Sequence, residues 1–196
     1  MVRKHEVLLR LFGIIGRGED MQGNRLKTIL LEILDYSKII FFALVVAMFF
    51  KNNVAAGALV PSGSMEETVM TGSRIMINRL AYIAEEPQRG DIVAFYYPDD
   101  GETLYLKRVM GLPGETIEGI DGYVYINGIK LENDFTSERM ECDFAPFEVP
   151  ENCYFMLGDN RNNSWDSRYW QNSFVKKEEI IGKAAFTFYP EIKVLE

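Results

Sequence analysis

Twelve consecutive residues, Ile39 to Phe50 (IIFFALVVAMFF), are apolar without a break, and Lys38 and Lys51 bracket them. A helix that is apolar on every face has no side to turn towards water, so this run spans a membrane or lies in a core. Twelve helical residues rise only ~18 Å, short of the ~30 Å hydrocarbon thickness, so a spanning helix has to be longer than the run. Backwards it recruits Ile29, Leu30, Leu31, Ile33, Leu34 and Tyr36; forwards it meets Lys51, Asn52 and Asn53, then the weakly helical VAAGALV. Lysines at the ends can snorkel to the headgroups. The expectation is an anchor helix over residues 29–56. A removed signal is the competing reading, because Ala56-Gly57-Ala58 is a small-x-small cleavage pattern. The long segment before the run is unlike an ordinary signal n-region and favours a retained anchor. Residues 7–20 (VLLRLFGIIGRGED) read as a short amphipathic piece for the membrane surface.

Charge divides along the same line. Residues 1–38 carry seven Lys/Arg against five acids, and the totals leave 14 basic and 24 acidic residues in 39–196. A basic flank, an apolar run and an acidic body fit a single-pass protein with its N-terminus in the cytoplasm and its body outside. The expected organisation is a cytoplasmic segment 1–28, the anchor 29–56 and an extracytoplasmic β-rich catalytic domain 57–196. A net charge of −8, with no basic stripe, argues against nucleic acid as a partner. The lipid bilayer is the expected one. Cys142 and Cys153 sit in the body at a spacing that permits a disulfide without requiring it.

From Gly72 onward the pattern is short β-rich runs with turn punctuation. Strands are expected at Arg74–Asn78, Asp91–Tyr97, Thr103–Met110, Thr116–Ile120, Tyr123–Ile126, Ile129–Leu131, Tyr154–Leu157 and Lys183–Phe188, with a helical turn at Lys176–Ile180. Asp121-Gly122 and Asn127-Gly128 are two-residue hairpin signals. The fold class is therefore mainly β: an N-terminal transmembrane helix followed by an all-β folded-sheet or barrel-like domain.

Chemistry narrows by elimination. The only histidine, His5, precedes the apolar run. If the run spans the membrane, His5 and the body are on opposite sides, which rules out a Ser-His-Asp, Cys-His or histidine-zinc site in the body. No phosphate loop or dinucleotide fingerprint is present, and neither cofactor nor metal is expected. A nucleophile here must be activated by carboxylate or lysine, and a lysine base has to be held uncharged by burial or a cationic neighbour. In Leu104-Tyr105-Leu106-Lys107-Arg108-Val109, strand alternation puts Tyr105, Lys107 and Val109 on one face and Leu106 and Arg108 on the other. Pro61-Ser62-Gly63-Ser64-Met65 supplies a serine, although such a string also reads as a linker. Gly63 allows close backbone approach or an unusual conformation, so that the Ser64 N–H and the Ser62 hydroxyl can converge on one point. Ser173-Phe174-Val175-Lys176 matches the S-x-x-K nucleophile pattern, but its companion motifs and long helices are missing, so it is discounted.

These residues resemble the boxes of the prokaryotic type I signal peptidases. The anchor, Pro61–Met65, GDIVAF at Gly90–Phe95, YLKRVMGLPGE at Tyr105–Glu115 and GDNRNNSWDSR at Gly158–Arg168 occur in that family's order, and IIGKAAFTFYP at Ile180–Pro190 resembles its closing strand. The compact body resembles the Gram-positive form. The resemblance implies a membrane serine endopeptidase in the cell membrane that removes signal peptides through an acyl-enzyme. Ser64 would be the nucleophile, Lys107 the general base, Ser62 an oxyanion donor with the Ser64 N–H, and Ser164 the group that orients the lysine amine. Asp159, Arg161, Asp166 and Arg168, with Arg108, would hold the last loop in place.

The implied partners are preproteins with small residues at −1 and −3, cut by a monomer. The peptide would add as a strand between Ala58–Ser62 and Leu104–Leu106. Glu66-Glu67-Thr68-Val69 departs from the family's usual proline before Thr, and residues 51–56 are less apolar than its pattern. A Ser/Lys self-cleaving peptidase and a non-catalytic membrane-tethered binding module are the alternatives.

Overall fold

The computed structural model describes the backbone of residues 3–132 and 135–195 and the side chains from residue 27 onward. The side chains of His5 and of residues 7–20 lie outside what is described. The chain divides into two units, Met1–Phe50 and Lys51–Glu196.

The first unit is helical. Helix α1 runs unbroken from Arg3 to Asn53. Its stretch Lys27–Asn53, with a mean hydropathy of 2.0, is long and apolar enough to cross a membrane; its 27 residues rise about 40 Å. Lys38 pairs with Asp35 at 2.8 Å, so the polar groups behind the apolar run neutralise one another. The helix stops earlier than the sequence suggests: Ala55–Leu59 is a strand, β1, not the last turn of an anchor ending at residue 56. Propensity does not end the helix, since AAGAL holds strong helix formers apart from Gly57; pairing of Ala55–Leu59 along β2 does, and the Val54 carbonyl accepts from the Arg79 N–H at 3.0 Å, which fixes the turn into the sheet.

The second unit is β throughout. Its strands are β1, β2 (Arg74–Asn78), β3 (Ile92–Tyr96), β4 (Leu104–Gly111), β5 (Thr116–Ile120), β6 (Tyr123–Ile126), β7 (Ile129–Lys130), β8 (Phe144–Glu148), β9 (Cys153–Leu157), β10 (Val175–Lys176), β11 (Ile180–Tyr189) and β12 (Lys193–Val194). The larger sheet has the order β1-β2-β11-β3-β4-β9-β10, with β12 on β11; the smaller is β7-β6-β5-β8. Every pairing is antiparallel. Both predicted hairpins form, with Asp121, Gly122, Asn127 and Gly128 all at positive φ. The expected turn after residue 176 is a 3₁₀ helix at Lys177–Glu179.

Four strands escaped the sequence: β1, β8, β10 and β12. β8 contains Pro146, which argues against a central strand, and it sits at a sheet edge where a missing N–H is tolerated. Three apolar clusters fill the body. Val60, Met65, Val69, Ile75, Ile77, Ile92, Ala94 and Ala184 form the first. Val93, Phe95, Val109, Tyr154, Met156 and Trp170 form the second, and the third lies under the smaller sheet. Both cysteines are free thiols.

Candidate active site

The site sits where two strand edges face a common space. β4 pairs with β3 from Leu104 onward, but its other neighbour, β9, joins only at Arg108. β1 is an edge strand. Between Ala58–Met65 and Thr103–Lys107 lies a cavity of about 680 Å³, closed on a third side by Asn162–Trp165 and Tyr169. Ser62, Ser64, Lys107 and Ser164 all line it.

Lys107 and Ser164 are buried, and a buried plug next in the chain fixes Ser64. In the turn after β1, Met65 and Val69 are inserted into the first apolar cluster at 0% and 1% exposure, and the Val69 N–H returns to the Met65 carbonyl at 2.7 Å. That plug leaves Ser64, the preceding residue, half-buried at the cavity wall. The exposed Ser62 brings its Oγ within 3.5 Å of Ser64 Oγ. Gly63 does not use a left-handed conformation; a Cβ there would only meet the flexible end of Glu66, 2.8 Å away.

Strand alternation holds on β4. Leu106 packs against the first cluster, whereas Tyr105 and Val109 join the second. Lys107 follows Tyr105: its Nζ lies 5.8 Å from that ring centroid and donates to Ser164 Oγ at 3.1 Å. Lys107 is only 3% exposed, and its pKa is lowered to about 8, chiefly by burial and in smaller part by Arg168, against the opposing fields of Asp166 and Asp159. Its only side-chain hydrogen-bond partner among the described residues is a neutral hydroxyl. A buried amine near neutrality beside a serine hydroxyl is an arrangement suited to abstracting a proton.

The charged residues form a second layer. Arg108 makes a two-pronged contact with Asp159 (Nε to Oδ1 2.8 Å, Nη2 to Oδ2 2.7 Å) and donates to the Gly90 carbonyl at 2.6 Å. Thr68 adds a third donor to Asp159 at 2.5 Å. Arg168 grips Asp166 with Nε at 2.8 Å and Nη2 at 2.9 Å, and Asp166 accepts the Gly158 N–H at 3.0 Å. Arg161 donates to the Gly158 carbonyl at 3.1 Å, while its own carbonyl accepts from Arg168 at 2.7 Å. The expected loop-holding residues are thus brought together, with Arg108 as the partner of Asp159.

Two residues of the last loop went unremarked in the sequence. Asn160 docks that loop on the serine turn: its N–H bonds the Ser64 carbonyl at 3.1 Å and its Nδ2 the Gly63 carbonyl at 3.0 Å. Gly158 permits the contact, since a Cβ there would come within 2.2 Å of Ser164 Oγ and 2.4 Å of the Ser64 carbonyl oxygen. Both lie inside the GDNRNNS string, whose glycine was the available signal. The discounted Ser173–Lys176 pattern is extended rather than helical, and Lys176 is exposed beside Glu178 at 3.9 Å. Among the described residues no group of His, Cys, Asp and Glu is arranged to hold a metal ion.

Comparison with known proteins gives the family. The chain is 36% identical over 170 residues to signal peptidase I S of Bacillus subtilis, covering 81% of this chain and 90% of that one. It is 35% identical over 166 residues to a probable signal peptidase I-2 of Synechocystis, covering 82% and 75% respectively. A crystal structure of a signal peptidase I from Enterococcus faecalis is 39% identical, covers 50% of this chain and 97% of that one, and superposes with a TM-score of 0.44. Residues 33–189 match the family described as signal peptidase, peptidase S26, and the chain belongs to that family.

Proposed function

We propose that this protein is a membrane-anchored endopeptidase that removes signal peptides from exported preproteins, with Ser64 as nucleophile and Lys107 as general base. The observation that carries this reading is the buried Lys107 amine, pKa about 8, bonded to Ser164 and sharing a cavity with Ser64. An ammonium cannot take a proton, and a lysine at its ordinary 10.5 is almost wholly charged at neutral pH. Desolvation leaves a useful neutral fraction.

The steps follow from the groups at hand. Lys107 Nζ takes the Ser64 proton as Oγ attacks the scissile carbonyl. The oxyanion is met by the Ser64 N–H and the Ser62 hydroxyl. Collapse breaks the C–N bond, the ammonium returns its proton to the leaving amine, and Ser64 is left as an ester. A water deprotonated by Lys107 then hydrolyses the ester. Ser164 orients the amine throughout. Arg108–Asp159 and Arg168–Asp166 keep the loop against the serine turn.

The substrate strand adds between the open edges of β1 and β4. Its −1 and −3 side chains face the floor made by Ile75, Ile77, Ala94 and Leu106. Ile75, Ile77 and Ala94 are themselves buried, so this face offers packed hydrocarbon that excludes large groups. The apolar part of α1 holds the site at the bilayer where such segments emerge, with the basic N-terminal flank on the cytoplasmic side.

Ser64→Ala and Lys107→Ala each abolish cleavage of a preprotein in detergent, and Lys107→Arg does the same because guanidinium keeps its proton. Wild-type rates in any of the three would remove the assignment. The anchor favours this reading over a self-cleaving Ser/Lys peptidase, and an assay on a foreign preprotein separates them.

A further inference from the structure

Beside the dyad the cavity has an aromatic wall that the mechanism above does not use. Trp165 and Tyr169 are 54% and 48% exposed, and both line the cavity. Their rings stack at 5.6 Å with 15° between planes. Half-exposed aromatics ordinarily turn freely, but these are held. Trp165 Nε1 donates to the Tyr97 hydroxyl at 3.3 Å, and that hydroxyl donates to Asp99 at 2.7 Å. Asp99 in turn accepts the backbone N–H groups of Gln171 and Asn172 at 3.0 and 2.7 Å, tying together both ends of the loop that carries the two rings. The guanidinium of the buried Arg168 lies 5.1 Å from the Tyr169 ring centroid. Tyr97 itself stacks on Tyr105 at 4.7 Å, nearly parallel.

The wall lies on a defined face of the groove. On β4, Leu106 faces the first apolar cluster, while Tyr105 and Lys107 face the opposite side. A strand inserted beside β4 obeys the same alternation. If its −1 and −3 side chains point to the Leu106 side, its −2 side chain points to the Tyr105 side, where Trp165 stands. A flat apolar surface held still in advance gains contact with little ordering cost.

We propose that Trp165, supported by Tyr169 and Tyr97, is a specificity-determining platform for the −2 side chain of the substrate and selects large apolar or aromatic groups there. This rests on the signal-peptide reading above.

The test uses the full chain in detergent and three otherwise identical preproteins bearing Trp, Gly or Asp at −2. Wild type should cut the Trp substrate about fivefold more efficiently than the Gly one, and the Asp substrate least, the scale expected for partial apolar contact. In Trp165→Ala that preference should collapse to near unity, while Trp165→Phe, which keeps a ring, should retain part of it. Equal losses on all three substrates would mean a loop failure rather than a subsite, and an unchanged preference would mean no contact; either overturns the proposal. If wild type cuts none of them, the functional reading fails instead. The platform is then judged alone in Ser64→Ala/Trp170→Phe, where Trp165 is the sole tryptophan. Its emission should shift to the blue on binding a −2 Trp-free, −2 Leu peptide and stay fixed with the −2 Gly peptide; identical responses would overturn it.

Discussion

The two faces of β4 carry adjacent basic residues in opposite circumstances. Arg108 and Lys107 are 2% and 3% exposed, so both are removed from water. On one face Arg108 meets Asp159 in a fork-to-fork pair, with Thr68 and the Gly90 carbonyl completing the set. On the other, Lys107 finds a serine hydroxyl and a tyrosine ring. The same desolvation therefore has different results. A guanidinium cannot shed its proton, so its burial demands a counter-charge. An ammonium can, and where burial outweighs the fields of the nearby carboxylates its pKa drops. One face holds the loop that carries Ser164; the other leaves a basic amine in the cavity that Ser64 also lines.

The paired face should be the more costly to break. Asp159→Ala deprives the buried Arg108 guanidinium of its two-pronged carboxylate contact, and is expected to destabilise the body by about 3–5 kcal/mol. Denaturant titration measures this. The double variant Arg108→Met/Asp159→Leu should recover much of that loss, because two apolar groups replace the pair. A double variant as unstable as the single one would mean that the pair's geometry, rather than the stranded charge, sets the cost.

The unpaired face should behave in the opposite way. A lysine pKa lowered from 10.5 to about 8 corresponds to roughly 3 kcal/mol against folding when the residue is charged in both states. The folded state binds protons less tightly here. The cost is therefore fully present below about pH 8, shrinks as pH rises from 8 to 10.5, and is gone above that. Lys107→Met should abolish cleavage yet stabilise the fold by on the order of 2 kcal/mol at pH 7, after about 1 kcal/mol for the hydrogen bond lost at Ser164. Its advantage over wild type should vanish by pH 10.5. A variant less stable than wild type at pH 7 would show that Lys107 is not held against its own charge.

How much of this was readable beforehand follows the same division. Period-two alternation placed Lys107 and Arg108 on opposite faces, because a strand's geometry depends only on its own backbone. Hairpin turns were readable for the same reason, since Asp121-Gly122 and Asn127-Gly128 need nothing beyond local φ. What alternation could not supply was the long-range partner: Asp159 is 51 residues from Arg108, and Ser164 is 57 from Lys107. The Lys107–Ser164 pairing is implied by resemblance to a family, which places Arg108 and Asp159 only in one loop-holding group without pairing them. Read from sequence, Ala55 and Ala56, the start of β1, fall at the tail of the anchor because AAGAL carries no strand signature; its conformation is imposed by β2. Gly158 and Asn160 were hidden because their work is to let two loops approach, which no single segment records. Trp165 looked like one more letter in the GDNRNNSWDSR string until its neighbours were known.

The smallest effect tests what Ser164 contributes to the unpaired face. Its Oγ accepts from Lys107 Nζ at 3.1 Å. That bond favours the charged amine over the neutral one, because an ionised donor makes the stronger hydrogen bond. Wild-type kcat/KM should rise with pH through about 8, as Lys107 loses its proton. Ser164→Ala removes the acceptor and frees the amine to turn away from Ser64. The plateau rate should then fall about tenfold, the scale of one lost orienting hydrogen bond, while the rising limb moves to lower pH. The two shifts have different origins, loss of orientation and loss of support for the ammonium, and must appear together if Ser164 acts through Lys107. A lower plateau with an unmoved limb would make Ser164 a packing residue of the loop, and the amine would then owe its position to burial and the Tyr105 ring alone.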